Sequence, residues 1–246
     1  MTYYINNLNQ KIAYKYIKGK SPGIIFIHGM NSDMSGQKAI SIQKYAKRNK
    51  IAFLRFDCRG HGKSYGKFED FTLSDWKKDL IEVIDNLTKG PQILIGSSMG
   101  GWLMLLASKL RNKKIAGLIG LAATADFGND LYKTLSAKSK KELKINKKTK
   151  HVWSYGFSYI LTKKFFIDAQ KNNILTKSIN FKKPVILIHG IKDSVVNSSV
   201  PITIMKKLKS KKVEINFLKS SDHRLSSKND LECINNAITR IRNQIL

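Results

Sequence analysis

Cysteine is scarce in this chain. The two present, Cys58 and Cys233, lie far apart, which excludes a disulfide framework and fits a reducing compartment. No group of His and Cys has metal-ligand spacing, so no metal site is expected. No apolar run is long enough to cross a bilayer as a helix. Met1 to Asn7 have neither the apolar core of a signal peptide nor the composition of a transit peptide, which predicts a cytoplasmic location. Acids are few as well: 17 Asp and Glu stand against 45 Lys and Arg, a formal charge of +28. Such a field attracts polyanions. The lysines are nevertheless spread along the whole chain, and no nucleic-acid-binding module is recognisable, so no specific nucleic-acid partner is expected. Abundant Lys, Asn and Ile fits a codon bias as well as it fits a built patch. No internal repeat is present.

What is there is a rhythm. The 246 residues suit one α/β domain, 1–246, with a full hydrophobic core. Tyr3 to Ile5 and Lys11 to Lys18 read as a leading hairpin. Apolar runs then predict strands at Ile24–Ile27, Ile51–Phe56, Ile93–Ile95, Ile115–Leu121, Val185–Ile188 and Val213–Leu218. Amphipathic stretches predict helices near 36–49, 72–87, 98–110, 200–208 and 228–245, with Thr72-Leu73-Ser74-Asp75 as a helix start. Alternation of this kind implies a mostly parallel, eight-stranded sheet covered by helices on both faces, with ligands bound beyond the carboxyl ends of the strands. One stretch breaks the rhythm. No strand is predicted from about Thr124 to Phe181, and this segment reads as a helical lid, with Lys133–Lys150 as a solvated helical face.

The chemistry is concentrated in Gly96-Ser97-Ser98-Met99-Gly100, set between the apolar run Gln92–Ile95 and a buried helix. Strand, G-x-S-x-G and helix in that order make a nucleophile elbow. A serine alcohol is weakly nucleophilic until a base takes its proton. His223, in Ser220-Ser221-Asp222-His223 after the last predicted strand, is the candidate base. Asp193, in the loop after Val185–Gly190, is the candidate acid that holds the imidazole tautomer. Asp126 also follows a predicted strand and stands as the rival acid. Asp168 and Asp222 are weaker ones, and Asp222 reads as a turn former.

Two N–H donors must face the oxyanion of a tetrahedral intermediate. They are assigned to Met99, directly after the nucleophile, and to Met30, in the loop after Gly23–Ile27. Trp102, and within the lid Trp153 and Tyr155, are candidate substrate contacts. The lid aromatics suit a lipophilic acyl group, and they equally suit packing of the lid onto the body. Acyl-enzyme chemistry of this kind needs no cofactor.

The chain resembles the α/β-hydrolase superfamily through His28-Gly29, through Arg55-Phe56-Asp57-Cys58-Arg59-Gly60-His61-Gly62-Lys63-Ser64, and through the elbow. It is similar, more narrowly, to the mitochondrial-type acyl-protein (palmitoyl-protein) thioesterases, also described as acyl-glucuronide esterases. The segments that carry this are Gly19–Phe26, Gly90–Leu105 and Ser221–Arg224. The resemblance implies an α/β-hydrolase fold and a triad at Ser98, Asp193 and His223. It also implies hydrolysis of acyl thioesters or activated esters, with acylated protein among the substrates.

Overall fold

The computed structural model describes residues 2–152, 156 and 158–245. Ten strands and eight α-helices are present among them: β1 (Thr2–Ile5), β2 (Lys11–Ile17), β3 (Lys20–Ile27), α1 (Gln37–Arg48), β4 (Ile51–Phe56), α2 (Leu73–Asn86), β5 (Gln92–Ser97), α3 (Met99–Leu110), β6 (Ile115–Leu121), α4 (Gly128–Thr134), α5 (Ala137–Ile145), β7 (Lys148–Val152), β8 (Ser158–Thr162), α6 (Lys163–Lys171), β9 (Val185–Gly190), α7 (Ser199–Lys207), β10 (Val213–Leu218) and α8 (Lys228–Asn243).

Eight strands form one sheet in the order β1-β2-β4-β3-β5-β6-β9-β10. The β1–β2 and β2–β4 pairs are antiparallel and the rest parallel. The central strands are apolar at both parities, as a sheet covered on two faces requires. Ile25, Ile27, Leu94 and Leu118 point to one face, where Trp76, Leu80 and Val83 of α2 and Trp102 and Leu103 of α3 close the core. Ile24, Phe26, Ile93, Ile95 and Ile119 point to the other, against Ala39 and Ile42 of α1 and Ile234, Ile238 and Ile241 of α8. The predicted start of α2 is a capping box: Asp75 accepts from the N–H and the hydroxyl of Thr72, at 2.9 and 2.8 Å. Ser227 and Asp230 cap α8 reciprocally: Asp230 accepts the Ser227 N–H at 2.9 Å and donates its own N–H to the Ser227 hydroxyl at 3.2 Å.

The segment between β6 and β9 differs from expectation. It is not wholly helical. It holds α4, α5 and α6, and between α5 and α6 a two-stranded antiparallel hairpin, β7–β8, pairs Lys148 with Thr162 through Val152 with Ser158. The basic run expected as one helical face ends as a helix at Ile145. From Lys148 the order Lys-Thr-Lys-His-Val alternates exposed and covered positions, and that period-2 pattern selects a strand.

The motif from Arg55 to Ser64 is structural. Asp57 accepts the N–H groups of Met34 and Lys63 at 2.7 and 2.9 Å. Arg59 is buried and bonds the carboxylate of Asp79 at 2.6 Å. His61 packs against His28, Phe68 and Trp76. Burial, with the nearby His28, pushes the His61 imidazole down to about 3, whereas an unfolded imidazole titrates near ~6.5. Between those values the unfolded chain binds more protons, so stability fully present above ~6.5 is lost as the pH falls toward the folded value. Acidification from about pH 7.5 to about pH 5 is expected to cost about 2 kcal/mol from this residue alone, read as a shift of the urea midpoint. His61→Phe should flatten that slope, and an unchanged slope would remove His61 as its source.

Candidate active site

Ser98 occupies the turn between β5 and α3 with φ 52° and ψ −119°, a left-handed conformation that a serine adopts only under constraint. The constraints are visible. The Ser98 N–H donates to Leu121 O at 2.9 Å, and its carbonyl accepts from Gly101 and Thr124 at 2.8 and 3.2 Å. Two glycines make the turn possible. A Cβ on Gly96 would lie 2.4 Å from Gly100 O, and one on Gly100 would lie 2.3 Å from Ile27 O. The hydroxyl is thereby held at the carboxyl edge of the sheet.

His223 lies in the loop between β10 and α8. Its Nε2 is 3.1 Å from Ser98 Oγ, and its Nδ1 is 2.8 Å from Asp193 Oδ2. A carboxylate accepts only, so Nδ1 carries the proton and Nε2 is left to accept from the serine. Asp193 follows β9 in a turn closed by its own N–H on Gly190 O. Its other oxygen, Oδ1, accepts the N–H groups of Val195 and Val196, both at 2.8 Å. Burial pushes this carboxyl up, but the hydrogen bond and charge of His223 and the two N–H groups outweigh it and hold Asp193 below the usual carboxylate range. The Asp193 loop is tied to its neighbours by Ile191 N–H on Leu218 O and Lys192 N–H on Ser221 O. His189 lies behind the acid, and burial pushes its imidazole down.

The rival acids are occupied elsewhere. Asp126 accepts Ile174 N–H and Leu175 N–H at 2.8 and 2.7 Å, which anchors the chain after α6. Asp168 accepts from Ser74 N–H at the start of α2. Asp222 is exposed and accepts Arg224 N–H.

Met99 is the first residue of α3, so its N–H has no acceptor within the helix. Met30 is positioned by His28, the first residue of the His28-Gly29 pair. His28 Nε2 accepts Cys58 N–H at 3.0 Å, which leaves Nδ1 to donate to Gly29 O at 2.8 Å. Burial pushes the His28 imidazole down, in keeping with that neutral tautomer. Ser32 N–H also reaches Gly29 O, at 3.3 Å. Gly29 C=O and Met30 N–H share one planar peptide, so pinning the oxygen aims the N–H. A His-Gly pair ending a buried strand was the available signal.

A cavity of about 860 Å³ opens over these groups, and Ser98, Met30, Met99 and His223 all border it. Its wall is largely apolar, with Phe127 and Leu131 on α4 or at its cap, Tyr159 on β8, and Val196 and Val200 from the β9–α7 side. Lys38 and Arg224 add cations at one margin. Burial pushes the Lys38 ammonium down to about 8. The spacing of Phe127 and Leu131, four residues apart, is a helical signal that was readable in the sequence.

Trp102 requires a correction. It does not border the cavity. It is fully buried in the core, donates its indole N–H to Asn172 O at 3.1 Å, and stacks edge-on behind Phe127. As the fourth residue of α3 it faces the second helical layer rather than the elbow. Trp153 and Tyr155 lie outside the described residues.

Comparison with known proteins agrees with this architecture. The Hydrolase_4 family model, described as serine aminopeptidase, S33, matches residues 20–175. The human protein named "Palmitoyl-protein thioesterase ABHD10, mitochondrial" is 39% identical over 229 residues, covering 91% of this chain and 74% of the relative. Its bovine counterpart is 38% identical over 233 residues, with the same coverage. The solved structure of alpha/beta hydrolase domain-containing protein 10 from mouse superposes with a TM-score of 0.92 at 33% identity, covering 100% of this chain and 99% of that one. These relatives overturn the cytoplasmic expectation, because their names place them in mitochondria. Of the residues Met1 to Asn7 on which that expectation rested, Thr2–Ile5 form the edge strand β1. Among the described residues no helix is long and apolar enough to cross a membrane.

Proposed function

We propose a function from the premise that the chain belongs to the Hydrolase_4 (serine aminopeptidase, S33) family of α/β-hydrolases: it removes long acyl groups from thioesters, with acylated protein cysteine as the natural class and carboxylic esters as accessory substrates. The observation that carries the reading is the 3.1 Å approach of His223 Nε2 to Ser98 Oγ beneath an apolar cavity. Ser98 attacks the acyl carbonyl while His223 takes its proton. The oxyanion that forms is held by the N–H groups of Met30 and Met99. The C–S bond then breaks, and His223 returns the proton to the departing sulfur. Water, deprotonated by the same imidazole, cleaves the acyl-serine and regenerates the alcohol. Asp193 stabilises the imidazolium at each stage.

The whole chain, 1–246, is read as one domain with 124–181 as its lid. What supports this is that Thr124, Phe127, Leu131 and Tyr159, all from that segment, border the cavity. The relatives named as palmitoyl-protein thioesterases support a long acyl chain and a protein leaving group.

The test is a series of acyl thioesters and matched oxygen esters of increasing chain length. Each methylene buried in the cavity is worth ~0.8 kcal/mol, so kcat/KM is expected to climb about fourfold per methylene until the chain meets the far wall. Leu131→Trp should cut the longest substrates and leave acetyl esters untouched. A flat profile, or preference for acetyl, would overturn the long-chain reading.

A further inference from the structure

Between Thr124 and Phe181 there are twelve lysines, no arginine and four acids. Three of those acids serve the fold. Asp126 anchors the chain after α6, Glu142 accepts the Thr149 hydroxyl, and Asp168 meets the start of α2. The fourth, Asp130, pairs with Lys133. The surface of this segment is therefore cationic with almost nothing to balance it.

The hairpin gives that charge a face. Lys148, Lys150 and Val152 are exposed, while Thr149 is buried and His151 borders the cavity with Tyr159, its partner across the ladder. Ile145, at the end of α5, is 65% exposed, and Val152 is 64% exposed. Val152 also borders the cavity, so the apolar interior opens directly onto the face that carries the lysines.

We propose that the outer face of α5 and β7 seats the cavity mouth on an anionic phospholipid surface. Lysine is depleted at protein–protein interfaces, where aromatic and arginine anchors dominate, and the described face offers lysines and aliphatic side chains instead. A lipid surface suits it. Lysine stems lie along apolar surface with their ammonium groups among phosphates, and Ile145 and Val152 reach the acyl boundary. Each lysine near an anionic leaflet strengthens binding about fivefold. The proposal rests on the acyl-hydrolase reading for its purpose, since long acyl groups partition into bilayers, but its test does not depend on hydrolysis.

The probe is vesicles of phosphatidylcholine containing about 30% phosphatidylglycerol, against pure phosphatidylcholine, sedimented with the Ser98→Ala protein. Binding is expected only with the anionic lipid. Lys148→Glu with Lys150→Glu should weaken it by about thirtyfold or more. Lys109→Glu with Lys113→Glu makes the same charge change at the carboxyl end of α3, opposite the elbow, and should change it by less than about threefold. Equal loss from both pairs would assign the attraction to net charge and overturn the proposal. So would equal binding to pure phosphatidylcholine, no binding at all, or retention by RNA in preference to vesicles. Covalent fluorophosphonate labelling of the Lys148/Lys150 variant with Ser98 intact reports its folding in solution, and Lys144→Glu with Lys147→Glu is the second pair should that labelling fail. Absence of vesicle binding leaves the hydrolase reading standing, and absence of labelling in the parent removes that reading without touching vesicle binding.

Discussion

Alanine at position 98 is expected to lower turnover by about four to six orders of magnitude and to eliminate fluorophosphonate labelling. The size follows from how the groups are coupled. His223 Nε2 has one partner to activate, Ser98 Oγ, and without it the cavity and the two N–H donors bind substrate with no nucleophile to offer. Folding should survive, because the turn is held by backbone bonds from Leu121, Gly101 and Thr124 rather than by the hydroxyl. Ser98→Gly sharpens the test. Glycine relieves the positive φ, so this variant should be as inactive as the alanine one yet more stable by up to about 1 kcal/mol. Persistent labelling of either variant would move the nucleophile elsewhere. Loss of stability in the glycine variant would show that the turn is unstrained.

Asp193→Asn is expected to reduce kcat by about 10⁴-fold while leaving substrate binding nearly intact. The orientation of the substituted amide can be worked out. Oδ1 is claimed by two N–H groups, from Val195 and Val196, so the amide oxygen must stay there. Its NH2 then faces His223 Nδ1, which has to accept, and the ring proton moves to Nε2, where it blocks deprotonation of Ser98. Asp126→Asn provides the contrast. Its two oxygens each accept one N–H, so the substitution leaves one backbone donor facing an NH2 and should cost about 1–3 kcal/mol of stability, with kcat unchanged. Denaturant midpoints and single-turnover rates on the two variants separate the roles. A fast Asp193→Asn enzyme would return the acid function to Asp126.

The sheet was readable because its signal is apolar at both parities. Ile24 through Ile27 and Ile93 through Ile95 have no other stable home than a strand covered twice, and their observed ends differ by only a few residues from those expected. The elbow was readable because sterics leave few residues able to make it. The hairpin β7–β8 was not. Lysines at 148 and 150 face solvent, so the strand lacks an outward apolar pattern and borrows the composition of a solvated helix. Trp102 shows the opposite error. Its position beside the elbow suggested contact with substrate, but its indole lies in the core behind Phe127 with its N–H on Asn172 O. His28 is legible in sequence only as half of a His-Gly pair, because an imidazole in a turn does not announce what it bonds. Only the paired contacts with Cys58 and Gly29 reveal that it orients a peptide.

Strands β6 and β9 lie side by side and in register, although everything from Ala122 to Pro184 is threaded between them. The carboxyl edge that bears Ser98, Asp193 and His223 is therefore aligned by strand pairings to which that stretch adds only backbone bonds at its two ends, Ala122 N–H on Ile188 O, Thr124 N–H on Ser98 O and Leu118 N–H on Pro184 O. A lineage can rewrite the stretch residue by residue, and so change which molecules are admitted, without renegotiating the alignment that makes the reaction go. Selectivity and reactivity can drift on separate clocks within one chain.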